Sequence, residues 1–421
     1  MNQPNKCRPA PLGAYRALVA ASCLAVFGSS DTLGQWKQFG GPGQAFKADG
    51  GKLASDWPDQ GPPTIWRREL GEGYSGILAD SGRLFTMYRA EDKERIVSLD
   101  AATGKTLWEH GYDAEPREGH GKKYGIGPRA TPLLTGGRLY TIGMAGLMHC
   151  LDATDGKVLW SHDLAKEFGA NALFGGHASS PIEYKDNIIA LVGGKGASIV
   201  AFQKKDGNVA WKNLSFPNSY CTPRIMKIHG QDQLVAFMGS EVIGADPDNG
   251  DLKWQFPCQN EWKENIALPL LVDEDTVLIS SVQVGTYALK IVQTGSRFEA
   301  QKAWFTKKIQ FYHGNSVQVG DYVYASSGLR APHFIAAFNG KTGKIAWRER
   351  GFAKANVLLA DGRLIILDED GNLALATATP QDLVIHSKVK LLEKVAWTAP
   401  TVVGRKLYVR DQSHILALDL S

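Results

Sequence analysis

The sequence is poor in cysteine, in net charge and in long apolar runs, and each shortage removes a class of protein. Five cysteines in 421 residues, none adjacent to another, supply neither a disulfide framework nor the spacing of a metal site. A formal net charge of +4 is small for this length. No basic cluster with interleaved aromatics accompanies it, so nucleic acid is not an expected partner. Runs of Ala, Leu, Glu and Lys are scarce, while 46 glycines and 19 prolines argue against a helical protein. The one clear apolar run, Ala17 to Phe27, is too short to span a bilayer comfortably.

That run does have a reading. Lys6, Arg8 and Arg16 precede it and small or polar residues follow up to Gly34, the layout of a secretory signal. Residues 1–34 are therefore expected to be a signal peptide, leaving no transmembrane segment in the mature chain. Ala20-Ala21-Ser22-Cys23 is a poor lipobox, because it lacks the expected Leu and interrupts the apolar run. Removal of the segment leaves Cys150, Cys221 and Cys258. Cys150 alternates with His149 and reads as a small core residue; Cys221 with Cys258 is the one pairing to consider.

What the sequence has in abundance is a repeat. Residues 35–61 form an irregular N-terminal segment expected to lie on the surface. From there to residue 421, units of roughly 40–50 residues follow one another, the period of a four-stranded propeller blade. Gly137 to Trp160 shows the pattern: short strands of Val, Ile, Leu and Tyr, a glycine turn, then Asp-x-x-Asp-Gly-Lys and a tryptophan. Units end on Trp108, Trp160, Trp211, Trp254, Trp304 and Trp347; the seventh has no tryptophan and the eighth stops after three strands. Thr64 to Leu70, with Trp66, reads as an orphan outer strand. It complements the unfinished eighth unit, so the N-terminal strand is expected to close the ring across its seam. The fold class is thus all-β, an eight-bladed propeller over residues 62–421. The Asp/Thr-Gly turn makes a tight hairpin, and a tryptophan at fixed offset, Trp160 for example, is expected to dock on the next blade. The fifth unit has lost the Asp turn, at Ile291-Val292-Gln293.

Leu99 to Trp108, Leu151 to Trp160 and Ala337 to Trp347 resemble the tryptophan-docking motif of the PQQ-like, or quinoprotein alcohol dehydrogenase-like, repeat family. One branch of that family holds PQQ-dependent dehydrogenases and the other holds cofactor-free propellers such as the outer-membrane assembly factor BamB. Trp36 to Pro42, Gly127 to Pro132 and Leu407 to Arg410 are similar to exported BamB-like proteins of the planctomycete type. A dehydrogenase of the first branch carries adjacent cysteines over the quinone and Glu, Asn and Asp on a calcium ion. This chain has no Cys-Cys pair, and its acids sit mainly in hairpin turns, so PQQ and calcium are not supported. Asp368 to Asn372 reads as a hairpin turn, not a calcium loop, and Gly193 to Gly196 as a turn between strands, not a phosphate cradle.

No nucleophile or metal motif is present, so neither catalytic nor metal-binding residues are expected. What remains are polar groups where the chain enters each innermost strand. Arg129, His177, Tyr220, Asn265, His313, Asn315 and Asn356 recur at such points, and Arg410 follows a strand of the last blade. They are candidates for ligand binding at the mouth of the axial channel; alternatively they satisfy strand ends and line a wet channel. Tyr124, Phe174, Tyr220 and Tyr312 are the aromatics that, if clustered there, favour a glycan or other small ligand. The long insertion Gly111 to Gly127, with Glu115, Arg117, His120, Lys122 and Lys123, reads first as a solvated excursion and second as a functional loop. The expected function is that of an exported, non-enzymatic scaffold of the periplasm or cell envelope with a protein partner there. The alternatives are a PQQ-dependent oxidoreductase with a divergent site and a small-ligand binder.

Overall fold

The computed structural model describes Met1 and residues 35–115, 124–170, 173–329 and 331–421. The expected signal segment, and Arg117, His120, Lys122 and Lys123 of the insertion, lie outside them. The described residues form an eight-bladed propeller of four-stranded antiparallel blades. Blades 1 to 7 occupy residues 78–113, 133–163, 182–213, 224–257, 270–306, 316–350 and 356–390. Blade 8 combines residues 401–419 with the N-terminal strand Thr64–Glu69, which pairs antiparallel with His414–Asp419. The ring is closed as the orphan strand implied.

Burial follows position in the blade. Second strands such as Asn187–Gly194 are buried on both faces and read as apolar runs, while outer strands such as Thr106–Asp113 alternate. The register slips beside each tryptophan: Trp108 faces Ser98, but Thr106 faces Leu99. This bulge skips Leu107, which is left exposed, and re-aims the indole sideways. Trp108 then lies on Gly156 of blade 2, where an added Cβ would come within 2.5 Å of the ring. Its Nε1 donates to Ala153 O at 3.0 Å. Trp66 on Gly104, Trp160 on Gly207, Trp211 on Gly250 and Trp304 on Gly343 repeat the arrangement. The glycine is available because its turn is built for it. Asp100 Oδ1 accepts from Thr103 N at 2.8 Å and Thr103 Oγ1 at 2.7 Å, and Gly104 takes a φ of +71°. Blade 7 carries Ser387 at the tryptophan position. The backbone of Trp57 in the N-terminal segment pairs with that serine, its amide N–H donating to Ser387 Oγ at 2.7 Å and its carbonyl accepting from the same hydroxyl at 3.3 Å.

The N-terminal segment departs from expectation. It is not a surface strap: Trp36 and Phe46 are fully buried. Trp36 exchanges two backbone bonds with Ala79 of blade 1, Lys37 O accepts from Leu134 N of blade 2, and Phe46 O accepts from Leu359 N of blade 7. Gln44 Nε2 donates to Pro223 O at the start of blade 4, and Lys47–Ala48 pairs parallel with the innermost strand of blade 7. A chain that touches blades 1, 2, 4 and 7 crosses the axis. It closes one end of the channel, and the inward edges of the inner strands satisfy its irregular backbone.

Cys150, Cys221 and Cys258 are buried free thiols, and no helix among the described residues is long and apolar enough to cross a membrane. The docking geometry makes a test. Trp108→Ala should cost about 3–5 kcal/mol and Gly156→Ala about 1–3 kcal/mol. The double substitution should cost less than their sum, because both remove one contact. Gly136→Ala, whose Cβ meets open space, should cost about 1 kcal/mol. Urea unfolding of the four variants decides it, and strictly additive costs would rule the contact out.

Candidate functional site

The chain enters every innermost strand in extended conformation, so residues two apart face the same way. Two such positions from each blade meet at the axis. The residue beside the inner strand's start is Gly76, Thr131, Ser180, Thr222, Leu268, Asn315, Asn356 and Ala399 in blades 1 to 8, and all line one cavity of about 600 Å³. Two residues earlier stand Tyr74, Arg129, Ala178, Tyr220, Ile266, His313, Lys354 and Trp397, which line it as well. Trp36, Phe39 and Gly40 of the N-terminal segment form its floor. Tyr124, Phe174 and Trp262, each more than 40% exposed, form the rim. The cavity is a cup, shut at one end.

The deeper ring holds neighbouring blades together. Gly76 N donates to Thr131 Oγ1, Thr131 N to Ser180 Oγ and Ser180 N to Thr222 Oγ1, at 3.2, 2.9 and 3.0 Å. Asn315 brackets Val357 with both amide atoms, Asn356 Nδ2 donates to Trp397 O, and Thr401 Oγ1 donates to Ile77 O across the closing seam.

The shallower ring is aromatic and charged. Trp397 is its centre, with ring centroids 4.8 Å from Tyr74, 4.1 Å from His313 and 6.1 Å from Tyr124. The Trp397 indole N–H donates to Glu369 Oε2 at 3.0 Å, and Glu369 also pairs with Lys354 at 2.7 Å. The hairpin turn at residues 368–372 thereby sets the orientation of the cup's largest ring. Arg129 stacks over Tyr74 at 5.2 Å and gives Nη2 to Gly125 O. Tyr312 donates to Glu264, a carboxyl whose burial, stronger than the influence of Tyr312, Tyr220 and Arg129, raises its pKa. Burial pushes the phenols of Tyr74 and Tyr220 up to about 12, so both remain protonated donors.

Of the residues expected from sequence, Arg129, Tyr220, His313, Asn315 and Asn356 line the cup, as do the aromatics Tyr124, Phe174 and Tyr312. His177 and Asn265 do not. Each stands one residue before a lining position, and the two-residue period of an extended chain turns it into the wall. Asn265 is fully buried and donates to Met238 O at 2.6 Å. Arg410 is also off the site. It is buried between blades 8 and 1, donating to Met87 O, Gly71 O and Thr86 Oγ1. Sequence reading missed Tyr74, Lys354 and Trp397, although the same two-residue offset that marks Arg129 and His313 was there to find them. A calcium-held quinone does not fit this lining: among the described residues Glu264 is its one carboxylate, and calcium asks for several converging oxygens.

His313 yields a pH prediction. Its Nδ1 is shut from solvent without a partner among the described residues. Burial, then the charges of Lys354 and Arg129, push its pKa down to about 3. Below the ordinary histidine pKa of about 6.5 the unfolded chain takes up a proton that the native one refuses. Stability is therefore lost as pH falls from there toward 3. Unfolding midpoints between pH 7.5 and 5 should fall more steeply for the natural chain than for His313→Gln; equal slopes would mean that His313 charges in place.

With this geometry in hand, comparison with known proteins is informative. The family profile described as outer membrane protein assembly factor BamB matches residues 92–349. Curated proteins of that name are 22% identical over 209 residues in Yersinia pestis and 23% over 336 residues in Shewanella oneidensis. These alignments cover 46% and 76% of this chain, and 48% and 80% of the relatives, so the chain spans about half the length of the first. Among solved structures, BamB from Moraxella catarrhalis superposes with a TM-score of 0.60 at 16% identity, over 85% of this chain and 99% of that one. The quinohemoprotein alcohol dehydrogenase of Comamonas testosteroni gives 0.62 at 12%, over 92% and 80%. The structural likenesses speak for the fold alone. The profile match takes in more than half of the sequence, and by it the chain belongs to the BamB family of PQQ-like repeat propellers.

Proposed function

We propose that this protein is an exported, non-catalytic scaffold of the cell envelope that binds a protein component there, in the manner its relatives' name describes. Membership of the BamB family over residues 92–349 carries the reading. The architecture supports it: a rigid ring whose blades each present an outer strand at the perimeter, ready for strand addition by an extended peptide. The longest is Arg297–Thr306 of blade 5. The N-terminal motifs support the exported subgroup, with residues 1–34 as the cleaved signal.

A second reading, small-ligand binding at the axial mouth, is favoured by the cup itself. Concave, mostly apolar cavities of about 300–1,000 Å³ with a few placed polar groups are the usual form of a ligand site. The two readings are compatible, since perimeter and axis are different surfaces.

Photocrosslinkers placed at Gln301 and Leu107, both exposed, should yield an adduct with an outer-membrane assembly component in the native cell, from a chain lacking residues 1–34. Absence of any envelope adduct, or a full-length chain retained in the cytoplasm, would remove the scaffold reading. PQQ with calcium should leave the melting temperature unchanged. A binder at a hundredfold excess over its dissociation constant adds about 2.7 kcal/mol, so a saturable, calcium-dependent rise would restore the dehydrogenase.

A further inference from the structure

We infer that the axial cup binds an acidic saccharide, a sugar unit bearing a carboxylate, with Arg129 as the residue that selects the acid. The inference rests on the mouth being a ligand site and adds the class of ligand.

The chemistry of the cup removes other classes in turn. An aromatic cage suits a quaternary ammonium ligand, but here the Arg129 guanidinium already stands over Tyr74, and one cation repels another. A wholly apolar ligand would cover the deeper ring and strand its polar groups. Thr131, Ser180 and Thr222 each accept a neighbouring blade's N–H, yet among the described residues none of the three hydroxyls donates to anything. A hydroxyl donor shut under hydrocarbon is costly. A polypeptide threading the axis is stopped by the floor of Trp36 and Phe39.

A sugar ring matches what is left. Its C–H faces lie against flat aromatic walls, here Tyr74, Trp397 and Tyr312, and its hydroxyls accept from Thr131, Ser180 and Thr222. The closed floor and the volume of about 600 Å³ suit a mono- or disaccharide end, not a long chain. The acid follows from Arg129. Nη2 is committed to Gly125 O and Nε is buried, while Nη1 makes no hydrogen bond among the described residues. Lys354, by contrast, is spent on Glu369. One guanidinium arm in a largely apolar cavity is a strong single contact for a carboxylate.

Tryptophan fluorescence reads the cup directly, because Trp36, Trp262 and Trp397 line it. The full chain would be titrated with a glucuronate-containing disaccharide and with its neutral glucose counterpart. The acidic sugar should quench saturably and bind about tenfold more tightly than the neutral one. Arg129→Gln should erase that preference and leave the neutral affinity in place. Trp262→Ala, an exposed rim position whose loss spares the fold, should weaken both. Equal binding of the two sugars, or an unchanged preference in Arg129→Gln, overturns the acid assignment while leaving the mouth as a sugar site. No quenching by either disaccharide overturns the saccharide altogether. Quenching by PQQ alone, lost in Trp262→Ala, would then assign the cup to flat aromatic acids and keep it a ligand site, whereas its absence would end that reading too. Perimeter crosslinking reports on the scaffold function separately.

Discussion

The indole laid on the next blade's turn glycine is the contact on which the ring depends. Each blade is a small twisted sheet that cannot bury both faces alone, so stability comes from the joints between blades. The joint joins two features of one repeat: a bulge that aims the tryptophan sideways and a turn whose glycine, with positive φ and no Cβ, leaves a flat landing place. Burying an indole removes about 150–250 Å² from water, and the Nε1 bond to a turn carbonyl fixes its direction. The aromatic half of one motif thus meets the glycine half of the next copy. That is why the two occur at fixed spacing although they never touch within a unit.

This coupling also explains how much could be read from the chain. Blade number, blade order, the closing strand and the docking role of tryptophan all follow from a motif repeated often enough to define itself. The N-terminal segment was misjudged for the opposite reason. It occurs once, and its Gly, Pro, Asp and Lys read as a solvated loop, although Trp36, Phe39 and Phe46 within it are cavity and core residues. Composition misleads where an irregular backbone finds its partners on strand edges, since burial then needs no regular secondary structure. Trp57 is a similar case. Nothing in its neighbourhood announces that it is buried and bonded through its backbone to Ser387 of blade 7.

The site was half legible. Arg129 and His313 were found because polar residues before an inner strand are conspicuous. His177 and Asn265 are equally conspicuous and point the other way, since one residue of offset decides the face in an extended chain. Trp397 and Tyr74 occupy the lining register but passed as structural aromatics in a protein full of them. Chemistry named the candidates; the register common to the blades separates most of the lining from the wall, with Tyr312 lining the cup from the out-of-register position beside His313.

The joint between blades 4 and 5 is one of those that depart from the rule, and its departure bears on the site. Blade 5 has replaced the turn by a hairpin of two ten-residue strands, so Trp254 has no glycine to meet. It folds onto its own blade instead, over Gly244, with Nε1 donating to Gln233 Oε1 at 2.7 Å. The joint is held by other means: Phe256 against Tyr287 at 5.4 Å and the segment that leads into blade 5. Within that segment Asn260 Oδ1 accepts from Trp262 N and Glu264 N, and Asn265 ties it to Met238 of blade 4. The same segment delivers Trp262 and Glu264 to the mouth of the cup. Elsewhere the outer joint, the docked indole, uses residues apart from the site, and the inner hydrogen bonds of Thr131, Ser180, Thr222, Asn315 and Asn356 serve both. At this seam the loop that shapes the rim also does the work of the missing tryptophan, through Asn260, Asn265 and its backbone, while the exposed Trp262 side chain takes no part in the joint.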